Sequence, residues 1–120
     1  MPAYKSSRTS EDIKREIIAI IRELKDPRIS GSMLTVVRVE LTSDNSFAKV
    51  FVSSLSGIAD AQAAVKVLNG AVGIVRREVG GRLHLRKAPE IKFVADDSVE
   101  QGIEMFKRLD AARKESKHED

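Results

Sequence analysis

The first strong pattern along the chain is an apolar stripe with helical spacing between about Arg8 and Lys25. Such a stripe is typical of an amphipathic helix that packs one face on a core. Asp26-Pro27 is expected to end this helix, because the residue before a proline is disfavoured in the α-helical region. Thr9 or Ser10 is the expected N-cap. The stripe consists of Ile13, Ile17, Ile20, Ile21 and Leu24.

Two alternating stretches follow, and together they predict a β-hairpin. Residues 33–42 alternate clearly, whereas residues 47–53 carry apolar side chains on both faces, so the buried face of this second strand stays open. The cluster 43–46 is rich in turn formers, and Asp44 is expected to bond the backbone of the turn. One face of the first strand carries Val37, Val39 and Leu41, and the other carries Val36, Arg38 and Glu40.

The stretch from Asp60 to Leu85 predicts two short helices joined at a kink. Apolar residues recur at helical spacing on both sides of Gly70-Ala71-Val72-Gly73, and Asp60 is a candidate N-cap for the first helix. Small residues at the junction let the backbone bend and leave room for a close partner. The end of the second helix stays open, because Gly80-Gly81 favours an end while Leu83 continues the stripe.

The last part of the chain predicts a third strand at residues 91–95 and a final helix that begins near Ser98 and ends near Ala112. Ser98 and Gln101 fit a capping box. We therefore expect a two-layer α+β domain of order α-β-β-α-kink-α-β-α, with a right-handed crossover before the third strand of a three-stranded sheet. The residues expected to face inward from the last helix are Val99, Ile103, Phe106 and Leu109.

Composition limits the class of protein. The 120 residues include no Cys and only two His, so disulfides and thiolate metal sites are excluded, and neither a metal nor a cofactor is expected. No apolar run approaches the roughly 20 residues of a membrane span, and no signal peptide is recognisable. We expect a cytoplasmic protein with one domain at residues 8–110, a flexible lead at 1–7 and a charged, frayed tail at 111–120.

Positive charge is concentrated around and after the kink. Residues 61–93 carry seven Lys or Arg and two Asp or Glu, although the whole chain has a net charge of only +3. Cationic side chains and the free N–H groups of a helix N-terminus both favour phosphate, which predicts contact with a nucleic-acid backbone. The predicted RNA-binding residues are Gly70, Ala71, Val72, Gly73, Arg76, Arg77, Arg82, Arg86 and Lys87, followed by Arg8, Lys25 and Arg28.

No arrangement of side chains in the sequence predicts catalysis. Asp96-Asp97 is a pair of carboxylates, but its place between a strand and a helix favours capping. His84 could stack on a base, although a partly buried surface histidine is the favoured interpretation. There is no recognisable nucleophile motif and no phosphate loop, so an enzyme is not expected.

Six segments of the chain stand out together by their order and spacing: Lys25-Asp26-Pro27-Arg28, residues 35–44, residues 48–52, Ala71-Val72-Gly73, residues 82–93 and Asp96-Asp97-Ser98. In this combination they resemble the ribosome-binding factor A family, and the likeness runs from about residue 8 to 109. The resemblance implies a KH-like (type II) domain in which Ala71-Val72-Gly73 replaces the usual Gly-x-x-Gly turn. It implies a non-enzymatic, monomeric factor that binds free 30S ribosomal subunits late in assembly, near the 5′-terminal helix of 16S rRNA, and supports growth in the cold.

Two other functions remain open at this point. Residues 60–85 could form a helix-turn-helix that binds DNA, but the first turn of the second helix, Ala71 to Ile74, has no side chain that reads base edges. Alternatively, the acidic stretch from Asp96 to Asp110 could make the chain a protein–protein adaptor.

Overall fold

The computed structural model describes residues 4–5, 8–31 and 33–118. Within these ranges the elements are β1 (Tyr4–Lys5), α1 (Arg8–Glu23), α2 (Pro27–Ser30), β2 (Leu34–Thr42), β3 (Phe47–Ser54), α3 (Ile58–Gly70), α4 (Val72–Arg82), β4 (Glu90–Ala95) and α5 (Ser98–His118). The predicted order of elements and the α+β class are confirmed, with β1 and α2 as additions.

The strands form a single sheet in the order β1-β2-β3-β4. β2 is antiparallel to β1 and to β3, whereas β3 and β4 are parallel. A parallel pair needs a crossover, and here α3 and α4 supply it, as predicted. In this order β4 lies at one edge of the sheet, with β3 as its neighbouring strand.

Neither added element was predicted from the sequence. β1 falls within the predicted lead and pairs with the end of β2, Tyr4 opposite Thr42; the remaining residues of the lead before Arg8 lie outside the described ranges. In α2, Asp26 is the N-cap and accepts a hydrogen bond from the Arg28 N–H at 2.9 Å, with Pro27 as the first helical residue. Asp-Pro ends one helix and also begins another, because proline fits the first helical position.

α1, α3 and α4 cover one face of the sheet, and the core lies between these helices and the strands. On α1 the predicted stripe is confirmed, with Ile13, Ile17 and Ile20 almost fully buried. Phe93 of β4 is the largest of the fully buried side chains in the described ranges. The open question about β3 is answered by its burial pattern, since the side chains that face the helices are Ala48, Val50 and Val52. Burying one of the larger aliphatic or aromatic side chains contributes roughly 1.5–3 kcal/mol to the stability of the fold.

The predicted faces of β2 are wrong at its start, because the strand contains a bulge. Val36 lies opposite Val52, but the next partner of β3 is matched by Arg38, so Val37 is an extra residue. An extra residue shifts the two-residue alternation by one. The buried side of β2 is therefore formed by Val36, Val39 and Leu41 rather than by Val37, Val39 and Leu41.

The hairpin turn is held by Asp44, as the sequence indicated. Its Oδ1 accepts hydrogen bonds from the Thr42 hydroxyl at 2.8 Å, the Ser46 hydroxyl at 2.7 Å and the Ser46 N–H at 3.1 Å. Asn45, between them, adopts a positive φ of 61°. These bonds, those from Ser46 and Thr42 first, lower the pKa of Asp44 from 3.8 to about 2.

Replacing Asp44 with alanine should lower the midpoint of thermal unfolding at pH 7 by a few degrees and leave RNA affinity unchanged. Because the folded pKa lies below the unfolded one, the charged carboxylate stabilises the fold above about pH 4 and loses this effect as the pH falls towards 2. Thermal melts of wild type and Asp44→Ala between pH 7 and pH 2 should therefore converge. A constant difference across that range would contradict a role for the ionised form.

Two helix starts differ from the expected N-caps, and the end of α4, which the sequence left open, is now defined. α1 begins at Arg8, which places Ser10 inside the helix on its buried face rather than at the N-cap, and Thr9 is likewise helical. α3 begins before Asp60, because Gly57 takes a φ of +110° and turns the chain out of β3 into the helix. Asp60 lies in the first turn, where its negative charge interacts favourably with the helix dipole and stabilises α3. α4 continues through both glycines to Arg82.

α5 departs furthest from expectation. At its start the Asp96 carboxylate accepts from the Ser98 hydroxyl at 2.8 Å and from the Ser98 N–H at 3.4 Å, and the Gln101 side chain donates to Asp97 instead of closing a capping box. The helix continues to His118, past the predicted end. The residues expected to face inward are exposed: Ile103 by 52%, Phe106 by 71% and Leu109 by 65%, while the side chain of Val99 lies outside the described ones.

Among the described residues, no helix is by itself long and apolar enough to cross a membrane. α3 and α4 meet that length and composition test only as a pair that is bent by 70°. Their apolar side chains, including Leu68 and Val75, pack in the core.

Candidate nucleic-acid interface

The predicted kink lies between α3 and α4, and its geometry is set by one residue. Ala71 ends α3 and begins α4 with φ −104° and ψ 11°, and the two helix axes differ by 70°. Its N–H bonds the Val67 and Leu68 carbonyls, and its own carbonyl accepts from Ile74 and Val75. Ala71 offers no side-chain cap to α4, so the first turn of that helix presents backbone N–H groups.

Asn69 fixes the kink to the sheet, and this residue was missed by the sequence analysis. Its side-chain Nδ2 donates to the Phe93 carbonyl at 3.0 Å, and its Oδ1 accepts from the Phe93 N–H at 2.9 Å. Because β4 is the edge strand, these backbone groups have no neighbouring strand on that side. The Asn69 amide therefore replaces a strand partner and holds the end of α3 against β4.

An open groove of about 440 Å³ runs along α4 on the side away from the core. Its walls come from α4 itself and from the loop that follows, through Leu85 and Ala88. The residues of α4 that line it are Gly73, Arg76, Arg77, Gly80 and Gly81. One helix face thus presents two arginines between glycines, which leaves the helix backbone accessible.

The glycines of this face differ in what the fold requires of them. At Gly80 an added Cβ would meet the Ala88 Cβ at 3.2 Å, so the close approach of the loop explains that glycine. At Gly73 and Gly81 an added Cβ would meet nothing within 4 Å, and neither has a positive φ. Each exposed helical glycine costs up to about 1 kcal/mol relative to alanine. The fold therefore does not require glycine at positions 73 and 81. A partner that lies directly against α4 would explain both glycines, because a side chain at either position would hold it away.

Arg76 takes part in the structure of the groove. Its half-buried guanidinium donates from Nε at 3.3 Å and from Nη2 at 3.1 Å to the Ala88 carbonyl. This holds the loop after α4 against the helix, so that the groove has a second wall. A guanidinium carries further N–H donors, which leaves Arg76 able to reach a phosphate as well.

Arg82 lies in a different environment from the other predicted cations. Its guanidinium pairs with Glu78 of the same helix at 3.4 Å, with Glu16 of α1 at 3.8 Å, and with Glu23 at the end of α1. The pKa of Arg82 is raised above its ordinary value, chiefly by the hydrogen bond to Glu23. With three carboxylates around it, Arg82 joins α4 to α1 and is poorly placed to attract a phosphate.

Three of the predicted cations are exposed beside the groove. Arg77 lines it directly, and Arg86 and Lys87 lie in the loop that forms its second wall. Within the described ranges, no carboxylate lies at ion-pair distance from any of the three. They are the side chains of this region best suited to meet phosphate.

The remaining predicted residues are more scattered. Gly70 is exposed at the end of α3, while Val72 packs against the core and so contributes only its backbone. Arg8 starts α1, and Lys25 and Arg28 flank the start of α2; all three are exposed, and none of them lines the groove. The Arg28 guanidinium bonds both oxygens of Asp26, at 3.0 and 2.7 Å. His84, predicted as partly buried, is exposed and has a positive φ of 52°.

Comparison of the sequence with known proteins gives a consistent result. Residues 5–109 match the family described as ribosome-binding factor A. The ribosome-binding factor A of Clostridium tetani is 40% identical over 120 residues, which cover 99% of this chain and 98% of that protein. The protein of the same name from Thermomicrobium roseum is 38% identical and covers 100% of this chain and 92% of its own length.

Solved structures share the fold. A Thermotoga maritima protein solved by NMR has a TM-score of 0.67 at 34% identity, over 74% of this chain and 84% of that chain. The crystal structure of ribosome-binding factor A from Thermus thermophilus has a TM-score of 0.63 at 27% identity, over 72% and 89%. The resemblance inferred from the sequence is thus confirmed, and the chain belongs to the ribosome-binding factor A family.

Proposed function

We propose that this protein is a non-enzymatic assembly factor that binds free 30S ribosomal subunits in the cytoplasm. It assists the late maturation of 16S rRNA near the 5′-terminal helix and supports growth in the cold. Family membership supports the ribosomal partner. A Thermus thermophilus ribosome-binding factor A, of the same fold at a TM-score of 0.63, has itself been fitted into an electron-microscopy map of its complex with a 30S subunit.

The observation that carries the proposal is the groove along α4. Arg77, Arg86 and Lys87 supply exposed positive charge around it, and Gly73 and Gly81 leave the helix surface bare. A sugar–phosphate backbone could lie against such a surface, contacting cations at its edges and the first-turn N–H groups of α4 at its end. The aromatic side chains suited to base stacking do not line the groove, so contact with the phosphate backbone is favoured over base recognition.

A DNA-binding helix-turn-helix is the weaker interpretation of the same helices. That motif joins its two helices by a turn of about three or four residues. Here the junction is the single residue Ala71. The first turn of α4 also offers Val72, Gly73 and Ile74, of which none can read a base edge by hydrogen bonding through its side chain.

Replacing Arg77 with glutamate should weaken binding to free 30S subunits by at least about tenfold, because a cation beside the phosphate path becomes an anion. With three to four cations displacing counterions, the log–log dependence of the RNA association constant on salt should have a slope of about −2 to −4 in wild type. The variant should show a slope shallower by about one. Filter binding or fluorescence anisotropy across a salt series measures both quantities.

Arg15→Glu provides the matched control. Arg15 is an exposed arginine of α1 that pairs only weakly with Asp12 at 3.2 Å, and it does not line the groove. The same charge change there should alter affinity much less than it does at Arg77. Equal losses in the two variants would show that net charge, not the groove, governs binding. Cosedimentation with 30S subunits, using 70S ribosomes for comparison, tests preference for the free subunit.

A further inference from the structure

The sheet has a second face, which α1, α3 and α4 do not cover. These helices pack on the face that carries Ala48, Val50 and Val52. The residues between them point to the other side, because successive side chains of a strand alternate. On this open face of the sheet the side chains are half-buried or exposed. The open face carries Arg38 and Glu40 of β2, Phe47, Lys49 and Phe51 of β3, and Glu90, Lys92 and Val94 of β4.

The open face contains an arginine stacked on an aromatic ring. Arg38 lies opposite Phe51 on the neighbouring strand, and its guanidinium carbon lies over the Phe51 ring, 3.8 Å from the ring centre. The Glu40 carboxylate accepts a hydrogen bond from the Arg38 Nε at 3.1 Å, which helps to hold the guanidinium there. The Arg38 side chain is 50% exposed, so one side of the guanidinium meets the ring and the other meets solvent. A planar guanidinium presented in this way can stack on a nucleobase.

Two lysines lie side by side next to this stacked pair. Lys49 and Lys92 are direct neighbours on β3 and β4, and adjacent strands are about 4.8 Å apart. Like charges in neighbouring positions of a sheet repel each other, so this pairing destabilises the sheet. Within the described ranges, no carboxylate lies at ion-pair distance from either lysine. A phosphate group over both ammonium groups would relieve their repulsion.

The stacked pair and the lysine pair are close enough for one nucleotide to meet both. Phe51 and Lys49 are two residues apart on β3, which is about 6.7 Å, and the Lys49 ammonium lies 5.3 Å from the centre of the Phe51 ring. Surfaces that bind single strands combine cations for the backbone with a planar group for the bases. We propose that the open face is a second nucleic-acid surface, which stacks one base of a single-stranded RNA on Arg38 and Phe51 and holds its phosphate at Lys49 and Lys92. That the strand is RNA rests on the proposed function.

The open face and the groove lie on opposite sides of the domain. α4 belongs to the helix layer on the other face of the sheet, since it packs against α1 and β4. A layer of helices about 10 Å thick and the sheet itself therefore separate the two surfaces. Different nucleotides meet them, and either surface can fail without the other. The groove contacts the phosphate backbone, whereas the open face adds contact with a base.

A titration of the full chain with decaadenylate, followed by NMR of the aromatic side chains and backbone amides, tests the proposal. The Phe51 ring signals and the amide signals of residues 49–51 should shift, because a stacked base adds its ring current. Inorganic polyphosphate of the same chain length supplies charge without bases and should shift the Phe51 ring signals far less. In Arg77→Glu the Phe51 shifts should remain, so that failure of the groove and failure of the open face give different results.

Phe51→Leu should weaken decaadenylate binding at least about fivefold, because the ring that supports the Arg38 guanidinium is lost. The melting temperature should stay near that of wild type, since the half-buried side chain remains apolar. Phe47→Leu is the matched control. Phe47 is a second half-buried phenylalanine on the open face of β3, but it lies opposite Glu90, and the same substitution there should alter affinity much less. Fluorescence anisotropy with labelled decaadenylate measures both variants.

Lys92→Gln tests the phosphate contact. It should make the log–log dependence of decaadenylate affinity on salt shallower by about 0.7, the share of one phosphate contact on a single strand. Lys66→Gln removes an equally exposed charge from α3 and should leave the slope unchanged.

Three outcomes would overturn the second surface. The first is that the Phe51 ring signals stay in place at saturating decaadenylate, and the second is that polyphosphate shifts them as far as decaadenylate does. The third is equal affinity of Phe51→Leu and Phe47→Leu for decaadenylate. If decaadenylate leaves the Phe51 signals of wild type in place and Phe51→Leu nevertheless binds 30S subunits more weakly, the proposal is also wrong, and the open face meets a protein of the subunit.

Discussion

Replacing Asn69 with alanine is expected to lower the free energy of unfolding by about 2–4 kcal/mol. The side chain exchanges two hydrogen bonds with the Phe93 backbone, at 3.0 and 2.9 Å, in a half-buried position. Removing the Asn69 amide leaves the Phe93 N–H and carbonyl without this partner. The cost is about 1–3 kcal/mol for each of these two groups that remains buried. Denaturant unfolding followed by circular dichroism measures the loss.

Asn69→Asp is the control that separates hydrogen bonding from packing. The aspartate has nearly the same shape and keeps an oxygen to accept from the Phe93 N–H, but it cannot donate to the Phe93 carbonyl while ionised. It should be destabilised at pH 7 and partly recover at low pH, when the protonated carboxyl can donate. If alanine is tolerated at Asn69 with less than about 0.5 kcal/mol lost, the kink is not held to β4 by this side chain.

The regular part of the fold was predictable because each element buries one face. The α1 stripe, the hairpin and the crossover through α3 and α4 all follow from periodicity, because the spacing of apolar residues indicates which side chains are buried. The bulge at Val37 was not predictable, because either of two adjacent valines fits a buried strand position. The inward face assigned to α5 failed for a related reason. An apolar stripe predicts a buried helix face, but Ile103 and Phe106 are exposed, because periodicity alone does not show whether the rest of the domain reaches that face.

The sequence indicated where a candidate site lies but not the environment of each side chain in it. Clustered charge drew attention to the kink and to α4, yet the state of each cation depends on residues far away in sequence. Arg82 is engaged by Glu23, which lies 59 positions before it. Asn69 bonds Phe93, which lies 24 positions later in the sequence. This contact could not be read from the sequence, because an asparagine at a helix end is already explained by helix capping. Local patterns therefore do not distinguish Arg77 from Arg82. Arg82 is paired with Glu23, whereas Arg77 lines the groove and has no ion pair within the part of the chain that the structure describes.

The double substitution Gly73→Ala and Gly81→Ala is expected to move stability and binding in opposite directions. Each position is exposed and helical, and an added Cβ would meet nothing within 4 Å. Alanine should therefore raise the free energy of unfolding by about 1 kcal/mol for the pair, less than for two glycines in a helix interior, because each lies one residue from an end of α4. If a phosphate backbone lies against α4, the two methyl groups hold it away, and affinity for 30S subunits should fall at least about tenfold, or 1.4 kcal/mol.

Gly102→Ala is the control that separates the effect of glycine on helix stability from its effect on binding. Gly102 is also an exposed helical glycine with open space around its Cα, but it lies on α5. It should stabilise the fold by a similar amount per residue and leave 30S affinity unchanged. Paired measurements of unfolding free energy and 30S binding on all the variants decide the question. A Gly73→Ala and Gly81→Ala protein that is more stable and binds as tightly as wild type would place the nucleic-acid backbone elsewhere. A loss of binding with a loss of stability would instead mean that the glycines serve the fold.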